Sequence, residues 1–146
     1  METGNTLENK KIKTTKIPKG GVFLRKQWED SFANHLTFQE KKDIYLWNNS
    51  GFLGYLWHVF SYEKRDCLQG QEAEKAFNNE HKDSCYIFWQ HTDNALILEN
   101  ADALNSNDIE DENDIYVVDN EFNWTYVITH ETGLCGPYFA KKEAHP

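Results

Sequence analysis

Between residues 83 and 140 the chain has no lysine and no arginine, against twelve aspartates and glutamates. A surface that reads a phosphate backbone needs the opposite sign, so this half excludes nucleic acid as a partner. Cysteine is scarce as well. Cys67, Cys85 and Cys135 form an odd set without a CxxC pair or zinc-ligand spacing, which excludes a disulfide scaffold and a structural zinc site. No apolar run approaches the roughly 20 residues that span a bilayer. Residues 1–16 are almost wholly polar and carry no signal-peptide core, so the expected location is the cytoplasm, with no membrane partner.

Motifs that carry chemistry are missing too. There is no HExxH, no GxSxG, no phosphate-cradling glycine loop and no Cys–His signature. Five carboxylates, Asp108, Glu110, Asp111, Glu112 and Asp114, fall within seven residues. A calcium loop begun at Asp108 would need glycine at its sixth position and glutamate at its twelfth, where Asn113 and Asp119 stand. No metal and no cofactor are expected.

What remains is a chain of 146 residues, suited to one domain, with 39% hydrophobic residues and 14% aromatic ones. Large rings bury much area each, so a core can close despite the modest apolar content. Charge is polarised. Residues 1–82 hold 13 basic and 11 acidic side chains, a net of +2. Residues 83–140 carry −12, and the tail from Lys141 adds +1, giving −9 for the chain.

Residues 1–19, rich in lysine, threonine and asparagine, read as a flexible arm ahead of a domain over 20–146. Leu24, Trp28, Phe32 and Leu36 recur every four residues as one helical stripe. Thr37 with Glu40 is a capping-box pattern for a second helix over about 38–47, carrying Ile44, Tyr45 and Trp47, and Asn48–Gly51 ends it. Residues 52–62 fit a helix or a strand; the rings and Val59 favour a strand at 56–61. A helix over 70–80 would bury Ala73, Ala76 and Phe77.

The second half changes period. Tyr86–Trp89 and Ala95–Leu98, around the turn His91–Asn94, predict a hairpin, and Ile115–Val118 with Phe122–Thr129 predict another. In the last strand Phe122, Trp124, Tyr126 and Ile128 alternate with Asn123, Thr125, Val127 and Thr129, which puts the rings, Trp124 included, on a buried face. The fold class is therefore α+β: a largely antiparallel sheet built from C-terminal hairpins, packed on one face against N-terminal helices.

The five carboxylates are a solvated loop or a docking patch for a basic partner. Trp57, His58, His130 and Glu131 are a possible pocket, with His91 as a further candidate, although His130 and Glu131 at a strand end should diverge. Seven rings fall within 45–62, and Trp28 and Phe32 feed the same layer. Most should be core; a Trp or Tyr left at an edge is a good interface anchor. The leading expectation is an acidic protein-binding module. The rivals are a small enzyme or ligand-binding domain using His58, His91, His130 or Glu131, and a structural or regulatory module.

Two blocks carry a resemblance. Leu56–Glu63 (LWHVFSYE), followed by Ala73, Phe77 and Tyr86–Phe88, resembles one block of a family of small bacterial proteins of about this length with no assigned activity. Trp124–Glu131 (WTYVITHE), after Asp114–Val118 and before Gly136–Phe139, resembles its second block. Acidic proteins with similar endings look like immunity partners of bacterial toxins. That similarity implies an inhibitor of a basic toxin or nuclease and brings no catalytic residues with it.

Overall fold

A computed structural model describes residues 7, 9–46, 54–131 and 133–142. Among the described residues seven strands form one antiparallel sheet: β1 (Lys13–Lys16), β2 (Leu68–Gln69), β3 (Ser84–Trp89), β4 (Ala95–Glu99), β5 (Ile115–Asp119), β6 (Trp124–Ile128) and β7 (Tyr138–Lys141). Their order across the sheet is β1-β4-β3-β5-β6-β7-β2. Among the described residues, four α-helices with complete bounds accompany it: α1 (Gly20–Phe32), α2 (Phe38–Asp43), α3 (His58–Ser61) and α4 (Gln71–Asn79). The α+β class and both predicted hairpins are present. Among the described residues no helix is long and apolar enough to cross a membrane.

The stripe Leu24, Trp28, Phe32 and Leu36 is buried, with Leu36 just beyond the end of α1. It packs with Val59 and Phe60 of α3 onto Phe88, Tyr116, Val118, Val127 and Tyr138 of the sheet. One polar link fixes the depth of α1: Trp28 Nε1 donates to Thr125 Oγ1 at 2.9 Å, and Thr125 Oγ1 donates to the Val117 carbonyl at 3.0 Å. The capping box starts α2, with Glu40 N on Thr37 Oγ1 and Thr37 N on Glu40 Oε1. This helix ends at Asp43, four residues before the expected end. Trp47 and the predicted stop at Asn48–Gly51 lie outside the described residues.

Three expectations need correcting. The strand at 56–61 is instead a turn at Leu56–Trp57 leading into α3. A strand would have set His58 on the same face as Leu56 and Phe60. The helical turn buries Leu56, Trp57, Val59 and Phe60 together and leaves His58 partly exposed. Part of the segment read as a free arm is docked: Lys13–Lys16 pair with β4 as an edge strand, and Leu7 and Ile12 are buried. Residues 1–6 of that arm lie outside the described residues.

Finally, the sheet is covered on both faces. Trp124 is buried as expected, but beneath α4, where Phe77 stacks on Tyr126 with centroids 4.2 Å apart. Leu7, Ile12, Ala101, Leu104 and Ile109 complete that second layer. Phe122, left-handed at φ 58°, belongs to the layer of α1, opposite Trp124.

Candidate functional site

At one end of the sheet β3 finishes, β5 begins and β6 finishes. The register sets Trp89 against Ile115 and Ile115 against Ile128. Gln90, Asp114 and Thr129–His130 are therefore neighbours by strand pairing alone. The N-terminus of α3 arrives beside them with Tyr55, Trp57 and His58.

Asp114 is the hub. It is 7% exposed, and its Oδ1 accepts from Trp57 Nε1 at 3.0 Å, from His130 N at 3.2 Å and from His130 Nδ1 at 3.0 Å. The carboxylate thus assigns the proton to Nδ1 and leaves His130 Nε2 as the free nitrogen. Its backbone is left-handed at φ 52°, a conformation aspartate tolerates better than most residues. Beneath it, the Tyr116 hydroxyl accepts from Trp57 N at 3.2 Å and donates to Gln90 Oε1, which also accepts from Leu56 N at 3.0 Å. Gln90 Nε2 is a buried donor with no partner among the described residues. Burial carries the Tyr116 hydroxyl well above its ordinary pKa, so it stays a neutral donor.

On this base stands a cluster of rings centred on Tyr55. Trp57, His91 and His130 each lie 5.1 Å from it between centroids, and His58 lies at 5.3 Å. The cluster continues outward from His58 to Tyr62 at 5.2 Å and from Tyr62 to Tyr45 at 6.3 Å. Tyr45 and Tyr62 remain 52% and 44% exposed. His58 Nδ1 donates to the Tyr45 carbonyl at 3.1 Å. Gly54 makes this approach possible, since a Cβ there would meet the Tyr45 carbonyl oxygen at 2.2 Å. Burial raises the Tyr55 pKa, helped by the charges of Asp114 and Glu131.

Burial lowers the pKa of His58, against the raising pull of its bonds to the Tyr45 and Ile44 carbonyls. A group whose folded pKa is depressed takes up its proton more readily in the unfolded chain. Its contribution to stability is therefore intact above the ordinary histidine value of about 6.5 and is lost as pH falls below it. Urea unfolding at pH 7.5 and 5.5 should show the wild type losing more stability than His58→Gln over that interval. Equal losses would mean that His58 titrates alike in both states.

The structure places Trp57, His58 and His130 around Tyr55, with Glu131 and His91 on the exposed rim. The parts not anticipated were Asp114 as hub and Tyr55 as centre. A signal for the first existed: the turn Asp119–Glu121 fixes the hairpin register, and that register alone brings Asp114 beside His130.

The five clustered carboxylates do not form one patch. Asp108 accepts from Lys10 Nζ at 2.8 Å and from Asn105 N at 2.9 Å, with a side chain only 7% exposed. Glu112 accepts from Trp89 Nε1 at 3.0 Å, and Asp114 belongs to the histidine corner. Glu110 and Asp111 are left exposed. Elsewhere in the acidic half, Arg25 pairs with Asp93 at 2.6 Å and donates to the Trp89 and Thr92 carbonyls. Cations from the first half of the chain thus meet carboxylates of the second. Among the described residues no group of three histidines, cysteines or carboxylates could hold a metal ion.

Two thiols are blunted by burial, Cys67 pushed up to about 11 and Cys85 to about 12. Cys67 lines a separate cleft of about 500 Å³ between β2, α4 and β7, with Leu68, Ala76, Phe139 and Lys141.

A family model described as Domain of unknown function (DUF4275) matches residues 1–139. Comparisons with curated proteins and with solved structures find no match.

Proposed function

We propose, on the premise that the chain belongs to the DUF4275 family, that it is a protein-binding module whose contact surface is the ring corner around Tyr55. In its most specific form it is an immunity-type inhibitor of a basic bacterial toxin or nuclease, acting in the cytoplasm. One observation carries the reading: a continuous set of aromatic and histidine rings ends in two tyrosines that keep about half their surface open. Tyrosine and tryptophan anchors dominate binding energy at interfaces because they offer large area at little cost in side-chain entropy. The sign of the partner follows from the net charge of −9, which would steer a cationic surface into contact.

The test is association kinetics against basic proteins recovered by pulldown. Tyr62→Ala should speed dissociation about tenfold or more, as loss of an anchor does. Glu110→Gln with Asp111→Asn should slow association at low salt and leave thermal stability unchanged, since such steering is screened within about 10 Å at 0.1 M salt. Association indifferent to salt and to both sets of changes would end the proposal.

A second reading, a small enzyme using His58, His91, His130 and Glu131, is favoured by one contact. Asp114 on Nδ1 leaves His130 Nε2 available as a base. Hydrolysis of chromogenic esters that persists at the same rate in His130→Gln would remove it.

A further inference from the structure

The exposed end of the ring corner consists of Tyr45, Tyr62 and His58, aromatic rings in mutual contact whose two tyrosines are open to solvent. Ring faces attract cations, and a planar guanidinium stacks on them where a compact ammonium does not. Carboxylates stand at the base of this end. The charge of Glu131 acts on both Tyr55 and His58, and Asp114 lies below them. Among the described residues, the basic side chains in ring contact with Tyr55 are the histidines His58, His91 and His130. A neutral aromatic or acidic side chain would find no matching charge here.

We infer that this corner accepts an arginine side chain of the partner, stacked on Tyr45 and Tyr62 with Glu131 as its counter-charge. The inference rests on the reading of this corner as the contact surface and adds what is recognised there. Glu131 belongs on the rim for this purpose: it is exposed, and Thr129 Oγ1 accepts from its backbone N–H at 3.1 Å, which fixes where its side chain departs.

The probe is N-acetyl-arginine amide, with N-acetyl-citrulline amide as the uncharged control of the same shape. Both are titrated into the full chain while the histidine and tyrosine ring signals are followed by nuclear magnetic resonance. Arginine amide should shift the His58, Tyr45 and Tyr62 signals saturably, and citrulline amide should not. Tyr45→Leu with Tyr62→Leu, two exposed positions whose loss spares the core, should weaken the arginine amide about fivefold or more, and Glu131→Gln about twofold or more. Equal effects of the two amides, or shifts that survive the double change, would overturn the inference. The two proposals fail separately. If a captured partner needs Tyr62 but arginine amide does not compete, the contact surface stands and the arginine falls. If arginine amide binds at the tyrosines and the partner ignores their loss, the contact surface itself is misplaced.

Discussion

Trp28→Ala should lower the unfolding free energy by about 3–5 kcal/mol, the range for deleting a buried aromatic ring. The indole is fully buried and meets Phe32, Phe60 and Tyr116 at centroid distances of 5.1, 5.8 and 5.4 Å. It is therefore the point at which α1, α3 and the central strand β5 touch. Its removal opens a cavity shared by three elements, none of which can close it alone. Trp28→Phe keeps most of the ring contact and gives up the bond to Thr125 Oγ1. Thr125 still donates to Val117, so a smaller loss of about 1–2 kcal/mol is expected. Urea denaturation followed by circular dichroism measures both. An alanine variant with the wild-type midpoint would mean that α1 does not sit on the sheet as described.

Asp114→Ala should cost about 2–3 kcal/mol, because it strands a buried donor, Trp57 Nε1, and releases the His130 backbone and ring together. Alanine is also disfavoured at φ 52°. Asp114→Asn tolerates that backbone and retains an acceptor, so it should lose less. In Asp114→Ala the His130 imidazole should lose its preference for the Nδ1–H tautomer, read from ring ¹⁵N shifts, together with the large stability loss, while Asp114→Asn, with its remaining acceptor, should keep more of the preference and of the stability. A retained tautomer in Asp114→Ala would mean that something other than this carboxylate orients His130.

How much of this was legible depended on how local the cause was. The stripe of α1 and the capping box of α2 are written within single turns of helix, and both stand where the sequence placed them. The hairpins were legible because each turn lies between its own strands. The segment 56–61 was not, because its rings suit either conformation and the choice falls to the sheet beneath them, which takes Leu56, Trp57, Val59 and Phe60 as one buried group. β1 was invisible for the opposite reason: Lys-Thr-Thr-Lys has no apolar signal and becomes a strand only through the free edge of β4. The acidic half misled in the same manner. Asp108, Asp93 and Glu99 lack basic neighbours in sequence and find them in Lys10, Arg25 and Lys13, far along the chain. Within the candidate site Trp57, His58, His130 and Glu131 were named from their types. Asp114 was grouped with the wrong neighbours, since its role comes from the strand pairing and not from the run of carboxylates around it.

The placement of β1 has a consequence for synthesis on the ribosome. This strand is translated before the other six but pairs with Leu96–Glu99, which lie far downstream of it. At about 5–20 residues per second it waits several seconds without a partner. Meanwhile β3 and β4 can join as soon as their hairpin clears the exit tunnel, which leaves the growing sheet with one open margin. A waiting segment of Val or Ile would invite pairing with other nascent chains on the same message. Lys13 and Lys16 repel such copies, so the strand that finishes the sheet's margin is also built to stay single until its place exists.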